Sequence, residues 1–123
     1  MEGKYEPEFK FEKLQIWQKA MDFGEDIFKT SSSFPKEELY NLVSQIRRAT
    51  DSIALNISEG SIEQSSLEFK RFLNYAIRSL AEVVTCLHKA KRRFYIDELQ
   101  FEKLYKEAFH LMNMMLAFKS KIN

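Results

Sequence analysis

Beyond Gly60 the chain has neither glycine nor proline; all 3 Gly and both Pro of its 123 residues lie before position 61. A half-chain without a strong breaker cannot make the tight hairpins of a sheet, so it must be built of long helices. Phe69, Phe72, Leu73, Ala76, Leu80, Val83, Val84, Leu87 and Phe94 repeat at the spacing of one helical face. They predict a helix over 66–93, nearly 40 Å long at about 1.5 Å per residue. Ser65 or Ser66 is its expected cap, with Glu68 completing a capping box. Past the turn Phe94-Tyr95-Ile96, Asp97 is placed to cap a last helix over 97–119 through Leu104, Ala108, Leu111, Met112, Met115 and Phe118.

The first half reads the same way with more punctuation. Phe11, Leu14, Trp17, Met21, Gly24 and Phe28, with Ile27 alongside, predict a helix over 11–30. Gly24 within it marks either a close helix contact or mere tolerance. The run Ser31-Ser32-Ser33-Phe34-Pro35 ends that helix. Ser33 is expected to cap the next, over 35–59, with Pro35 in its first turn, Glu37 and Glu38 at the positive end of its dipole and Gly60 as its C′ residue. Pro7 keeps residues 1–10 out of the helix, as a flexible arm. Short connections between four amphipathic helices give an all-α, antiparallel up-down-up-down four-helix bundle, one domain over 11–123.

The second helix carries two stripes. Ile46, Ile53 and Ile57 continue Leu39, Leu42 and Val43 as a core face, while Gln45, Ser52, Asn56 and Glu59 line up roughly a quarter-turn away, with Arg48 at the edge. Small and amide side chains in that pattern suit a closely approached helix or subunit surface with satisfied hydrogen bonds, rather than an active-site groove.

Catalytic chemistry finds little to stand on. Glu107-Ala-Phe-His110 matches the Glu-x-x-His spacing of a di-iron bundle once, but Thr85 stands where a second copy ahead of His88 needs a carboxylate. Cys86 has no histidine spaced to join it on one turn, and with Gly only at 3, 24 and 60 there is no phosphate loop. The expectation is a non-enzyme without metal or cofactor. A single Cys, no apolar leader at the amino terminus and no apolar run of about 18 residues point to the cytoplasm and away from a membrane.

Net charge is only +1 but unevenly placed: residues 1–64 hold 8 Lys/Arg against 12 Asp/Glu, and residues 65–93 hold 7 against 2. Lys70, Arg71, Arg78, Lys89 and Arg92 fall on the side of the third helix away from its apolar stripe, and Arg93 joins them in the cluster Lys89-Ala-Lys91-Arg92-Arg93 that closes the helix. They form either a solvated helix face or a phosphate-tracking surface. Little aromatic interleaving is visible on that face, so base stacking is not expected.

The arrangement Phe34-Pro35-x-x-Glu38, Gln45-Ile46-Arg47-Arg48-Ala49, Ser52-Ile53, Asn56-Ile57, Glu59-Gly60, then Glu68-Phe69, Phe72-Leu73, Ala76 and Ser79-Leu80-x-Glu82 resembles a known family. It is similar to the bacterial four-helix bundle proteins encoded by intervening sequences within 23S rRNA genes. Leu14-x-x-Trp17-x-x-Ala20 fits that family as well, and the resemblance runs from Phe11 to about Ile122. It implies an antiparallel bundle that assembles as a ring-like homopentamer, with no associated enzymatic activity. It also implies similarity to the accessory proteins of diversity-generating retroelements, pentameric barrels thought to bind nucleic acid and a reverse transcriptase. Two departures change charge. Ile62-Glu63 replaces a frequent Gly-Arg after the Glu-Gly pair, removing a positive charge, and Arg78 replaces a frequent Gly before Ser-Leu, adding one.

The expected partners are therefore copies of the chain itself and, through the basic third helix, RNA or DNA. The competing expectation is a protein scaffold whose partners dock on the rim or on Asp22, Glu25 and Asp26 of the first helix.

Overall fold

The computed structural model describes residues 5–123, and among them there are four long α-helices and no strand. They are α1 (Gln15–Ser31), α2 (Ser44–Ser61), α3 (Ser66–Arg92) and α4 (Glu98–Ser120). Each packs on its neighbours in the cycle α1–α2–α3–α4–α1, and the α2/α3 contact is the most extensive. The interior is filled by Ile27 of α1, Ile46, Ile53 and Ile57 of α2, Leu73, Leu80, Val83 and Leu87 of α3, and Leu104, Leu111 and Met115 of α4, all essentially inaccessible. Each such Leu, Ile or Met contributes roughly 1.5–3 kcal/mol by leaving water.

Two caps fall where the residue types put them. Ser65 Oγ accepts from the Glu68 amide at 3.0 Å, and an Asp97 carboxylate oxygen accepts from the Gln100 amide at 2.8 Å. The chain turns from α3 to α4 through Phe94, whose φ of 63° is the one left-handed non-glycine conformation among the described residues.

The entrance to α2 differs from its expected form. Ser33 does not cap it; its hydroxyl donates back to the Thr30 carbonyl. A 3₁₀ turn (Lys36–Glu38) and a π-helical turn (Leu39–Val43) precede the regular helix, and Glu38 caps them by accepting from the Leu42 amide at 3.3 Å. At the other end Gly60 is not a left-handed C′ residue. The helix runs through it to Ser61, and no glycine has positive φ among the described residues. Gly60 answers to packing instead: a Cβ there would lie 2.8 Å from Phe72 Cβ and 2.9 Å from Phe69 Cδ1.

The first helix is rotated relative to its most conspicuous stripe. Phe11 to Lys13 lie in a separate 3₁₀ turn, and extended Leu14 delays the start of α1 to Gln15. The core face is Ile16, Ala20, Phe23 and Ile27, whereas Met21 and Phe28 are exposed. Of the arm, residues 1–4 lie outside the described residues. Tyr5 to Phe9 have little regular structure but are tied back, because the Tyr5 hydroxyl and the Glu8 and Phe9 amides all donate to the Glu12 carboxylate.

Candidate nucleic-acid interface

Along α3, Arg71, Arg78, Thr85, Lys89 and Arg92 recur at intervals of seven, seven, four and three residues. Those intervals keep them on one line, turned away from buried Leu73, Ala76, Leu80 and Leu87. From Arg71 to Arg92 the line is about 30 Å long. Arg71, Arg78 and Arg92 are exposed, while Lys70 and Lys89 are half-buried. Arg71 pairs with Glu68 at 3.2 Å, one turn back, and both are exposed enough for the pair to be worth little in water.

An aromatic ring sits beside the basic line after all. The Arg71 and Arg78 guanidinium carbons lie 5.9 and 5.7 Å from the centroid of half-buried Tyr75, within cation–π range. Tyr75 thus steadies two cations two helical turns apart. It escapes a reading by periodicity because it lies between the core stripe and the basic line.

Arg93 belongs elsewhere. Its guanidinium reaches the buried Glu38 carboxylate at 3.0 Å, and the Tyr95 hydroxyl donates to the same oxygen at 2.7 Å. The other oxygen accepts from Asn41 Nδ2 at 2.9 Å. The Tyr95 hydroxyl bond, with those from Leu42 and Asn41 and the Arg93 charge, holds the Glu38 carboxyl below the usual carboxylate range. These bonds fasten the α3–α4 turn to the entrance of α2, so Arg93, though its side chain is 41% exposed, has a partner within the fold.

The polar stripe of α2 faces α3. Ser79 Oγ donates to Ser52 Oγ at 2.8 Å, and Asn56 Nδ2 donates to the Ser52 carbonyl and hydroxyl at 2.8 and 2.9 Å. Gln45, Arg48 and Ser52 line a polar cleft of about 420 Å³ with Ser79 and Glu82. Arg48 donates to Ser44 Oγ at 2.8 Å, and Glu59 is exposed at the far end of the stripe. The structure therefore brings Gln45, Arg48, Ser52 and Asn56 into one seam within the chain, with Glu59 outside it.

The family model of 23S rRNA-intervening sequence proteins matches residues 12–117. The chain belongs to this family. It is also similar to a solved Bacteroides thetaiotaomicron protein of unknown function from the S23 ribosomal protein family, with a TM-score of 0.80 and 23% identity, over 86% of this chain and 96% of that one. At that identity the likeness speaks for the fold. No curated protein matches.

As a member of the 23S rRNA-intervening sequence family, the chain carries Arg78 on its basic line, over the Tyr75 ring. Its other charge departure, Ile62-Glu63, lies at the exposed α2–α3 connection. The residues that suggested chemistry stand apart. Cys86 is buried, and burial together with Glu82 pushes its thiol pKa up. Glu107 accepts from Lys103 at 3.0 Å; desolvation and nearby Asp26 push its carboxyl up, while His110 is exposed. Among the described residues no three His, Cys, Asp or Glu side chains gather as a metal site requires, and no helix is long and apolar enough to cross a membrane.

Proposed function

We propose that this protein is a non-catalytic, self-associating bundle whose basic α3 face binds the phosphate backbone of RNA or DNA. The carrying observation is the 30 Å line of Arg71, Arg78, Lys89 and Arg92, with Tyr75 bracketed by its first two arginines. Lys70 lies one turn before Asn74, which accepts from Lys119 of α4, and extends the positive field on that side. An antiparallel up-down-up-down order of helices is part of the proposal. It is supported by Arg93–Glu38, Ser79–Ser52 and the Gly60–Phe72 approach between α2 and α3, and by Lys91–Glu98 and Lys119–Asn74 between α3 and α4.

Assembly into a homopentameric ring repeats the face around the molecule, and a polyanion touching several copies gains avidity. A non-catalytic role agrees with the buried, raised Cys86 thiol and the Lys103-held Glu107. A cytoplasmic location agrees with a chain whose one cysteine is a buried free thiol. The rival, a protein scaffold without nucleic-acid binding, is favoured by the large apolar side chains left exposed on α1, α2 and α4.

The test is a variant with Arg71, Arg78, Lys89 and Arg92 all changed to Gln. Fluorescence anisotropy with labelled duplex DNA and RNA at low salt should show at least a tenfold loss of affinity. Unchanged affinity in a folded oligomer would leave the scaffold reading in its place.

A further inference from the structure

Two apolar surfaces are left uncovered by the fold. The first is a groove of about 580 Å³ between α1 and α2, lined by Trp17, Met21, Gly24, Phe28, Ala54 and Leu55. Phe28 and Leu55 remain 52% and 56% exposed. The second is a stripe on α4 made by Tyr105, Phe109, Met112 and Leu116, with Phe109 61% exposed, bordered by Leu80 and Val84 of α3. Intervals of four, three and four residues put these four on one line. Because the helices neighbour one another in the cycle α1–α2–α3–α4–α1, the α1/α2 groove and the α3/α4 edge lie on opposite sides of the bundle.

The two surfaces match. Trp17 to Phe28 and Tyr105 to Leu116 cover the same number of residues, about 16 Å of helix each. Glu25 and Asp51 stand among the groove's lining residues, with the Arg47 guanidinium 4.1 Å over the Phe28 ring at one end, and Glu98, Glu102, Lys106 and Lys119 neighbour the α4 stripe along the chain. An apolar helical line with anchors at i, i+4, i+7 and i+11 suits an apolar groove of equal length.

We infer that the α4 stripe of one copy lies in the α1/α2 groove of the next. The inference rests on the self-association proposed above and assigns the surfaces that carry it. Because the two surfaces differ, the contact is heterologous: each copy offers its groove on one side and its α4 stripe on the other. A heterologous contact propagates until rotation closes a ring.

Complementing variants test this directly. Phe109→Glu disables the stripe and leaves the groove; Leu55→Glu disables the groove and leaves the stripe. Both positions are exposed, so circular dichroism should show wild-type helicity; should Leu55→Glu lose it, Leu55→Gln replaces it. In sedimentation velocity at one shared concentration, the wild type should sediment as an oligomer and each variant alone as a monomer. An equimolar mixture should form a one-to-one pair and nothing larger, because only one intact contact can be made. A monomeric wild type, a variant that still self-associates, or two monomeric variants that fail to pair would each overturn the assignment. Should the wild-type oligomer bind no nucleic acid at low salt while the two variants pair as expected, only the α3 reading would fall.

Discussion

Gly24 and Gly60 both sit inside helices, yet alanine should act on them in opposite directions. At Gly60 a Cβ meets Phe72 Cβ at 2.8 Å and Phe69 Cδ1 at 2.9 Å, well inside the roughly 3.5–4.0 Å optimum for carbon pairs. Phe72 Cβ is fixed to the α3 backbone, and the Phe69 ring is packed against Phe118 with centroids 5.6 Å apart. Relief therefore requires α3 to move away from α2, along the most extensive contact in the bundle. Overpacking of this kind costs about 1–3 kcal/mol. The helix-propensity gain near a helix end falls short of the ~1 kcal/mol available mid-helix. The net expectation is a loss of roughly 1–2 kcal/mol. At Gly24 the same methyl would lie 3.7 Å from Thr50 Cγ2, an ordinary contact, so the propensity gain of about 0.5–1 kcal/mol should survive. With about 2.1 cal/mol/K of unfolding entropy per residue, 1 kcal/mol is worth about 4 °C in a chain of 123 residues. Thermal unfolding, run at one protein concentration because association adds to apparent stability, should place Gly60→Ala about 4–8 °C below wild type and Gly24→Ala about 2–4 °C above. Equal stability of Gly60→Ala and wild type, or a destabilised Gly24→Ala, would refute the packing argument.

Glu38 and Arg93 yield two further expectations. The Glu38 carboxyl is held below its ordinary value, so its contribution is present above the unfolded pKa and fades as pH falls through the folded one. Glu38→Gln should therefore lower the melting temperature at pH 7, and the gap should close below about pH 4 as the wild-type carboxyl protonates; a pH-independent gap would contradict the Arg93–Glu38–Tyr95 account. Arg93→Gln should lower stability while leaving low-salt affinity for nucleic acid within about twofold, whereas Arg78→Gln should do the reverse.

How far the sequence discloses the molecule depends on how many faces each helix buries. α3 and α4 are legible as helices because a buried stripe runs along each without a breaker and Ser65 and Asp97 cap them as their types suggest, although Met112 of the expected α4 stripe belongs with the exposed line of Tyr105, Phe109 and Leu116. α1 misleads because it carries two apolar lines. The bulkier one, Trp17, Met21 and Phe28, lines an open groove, while Ile16, Ala20, Phe23 and Ile27 fill the core. Periodicity finds both lines but does not say which one meets the other helices. Gly60 looks like a helix stop because glycine ends many helices, and only the approach of Phe69 and Phe72 reveals its purpose. Glu38 looks like a dipole partner because its own partners, Arg93 and Tyr95, lie 55 and 57 residues away. The basic line is legible because charge segregation and helical spacing both survive in one dimension. The pairing of Arg93 with Glu38 and the place of Tyr75 beside the line come from contacts that spacing does not encode.

The most direct test of the central claim is the salt dependence of binding between the wild-type protein and a generic duplex. With four exposed or half-exposed cations per copy, displacing about four counterions predicts a log–log slope near −3.6 for each copy engaged. A steep slope that flattens when Arg71, Arg78, Lys89 and Arg92 become Gln is the predicted result. No binding at low ionic strength, or a slope indifferent to those four residues, would contradict it.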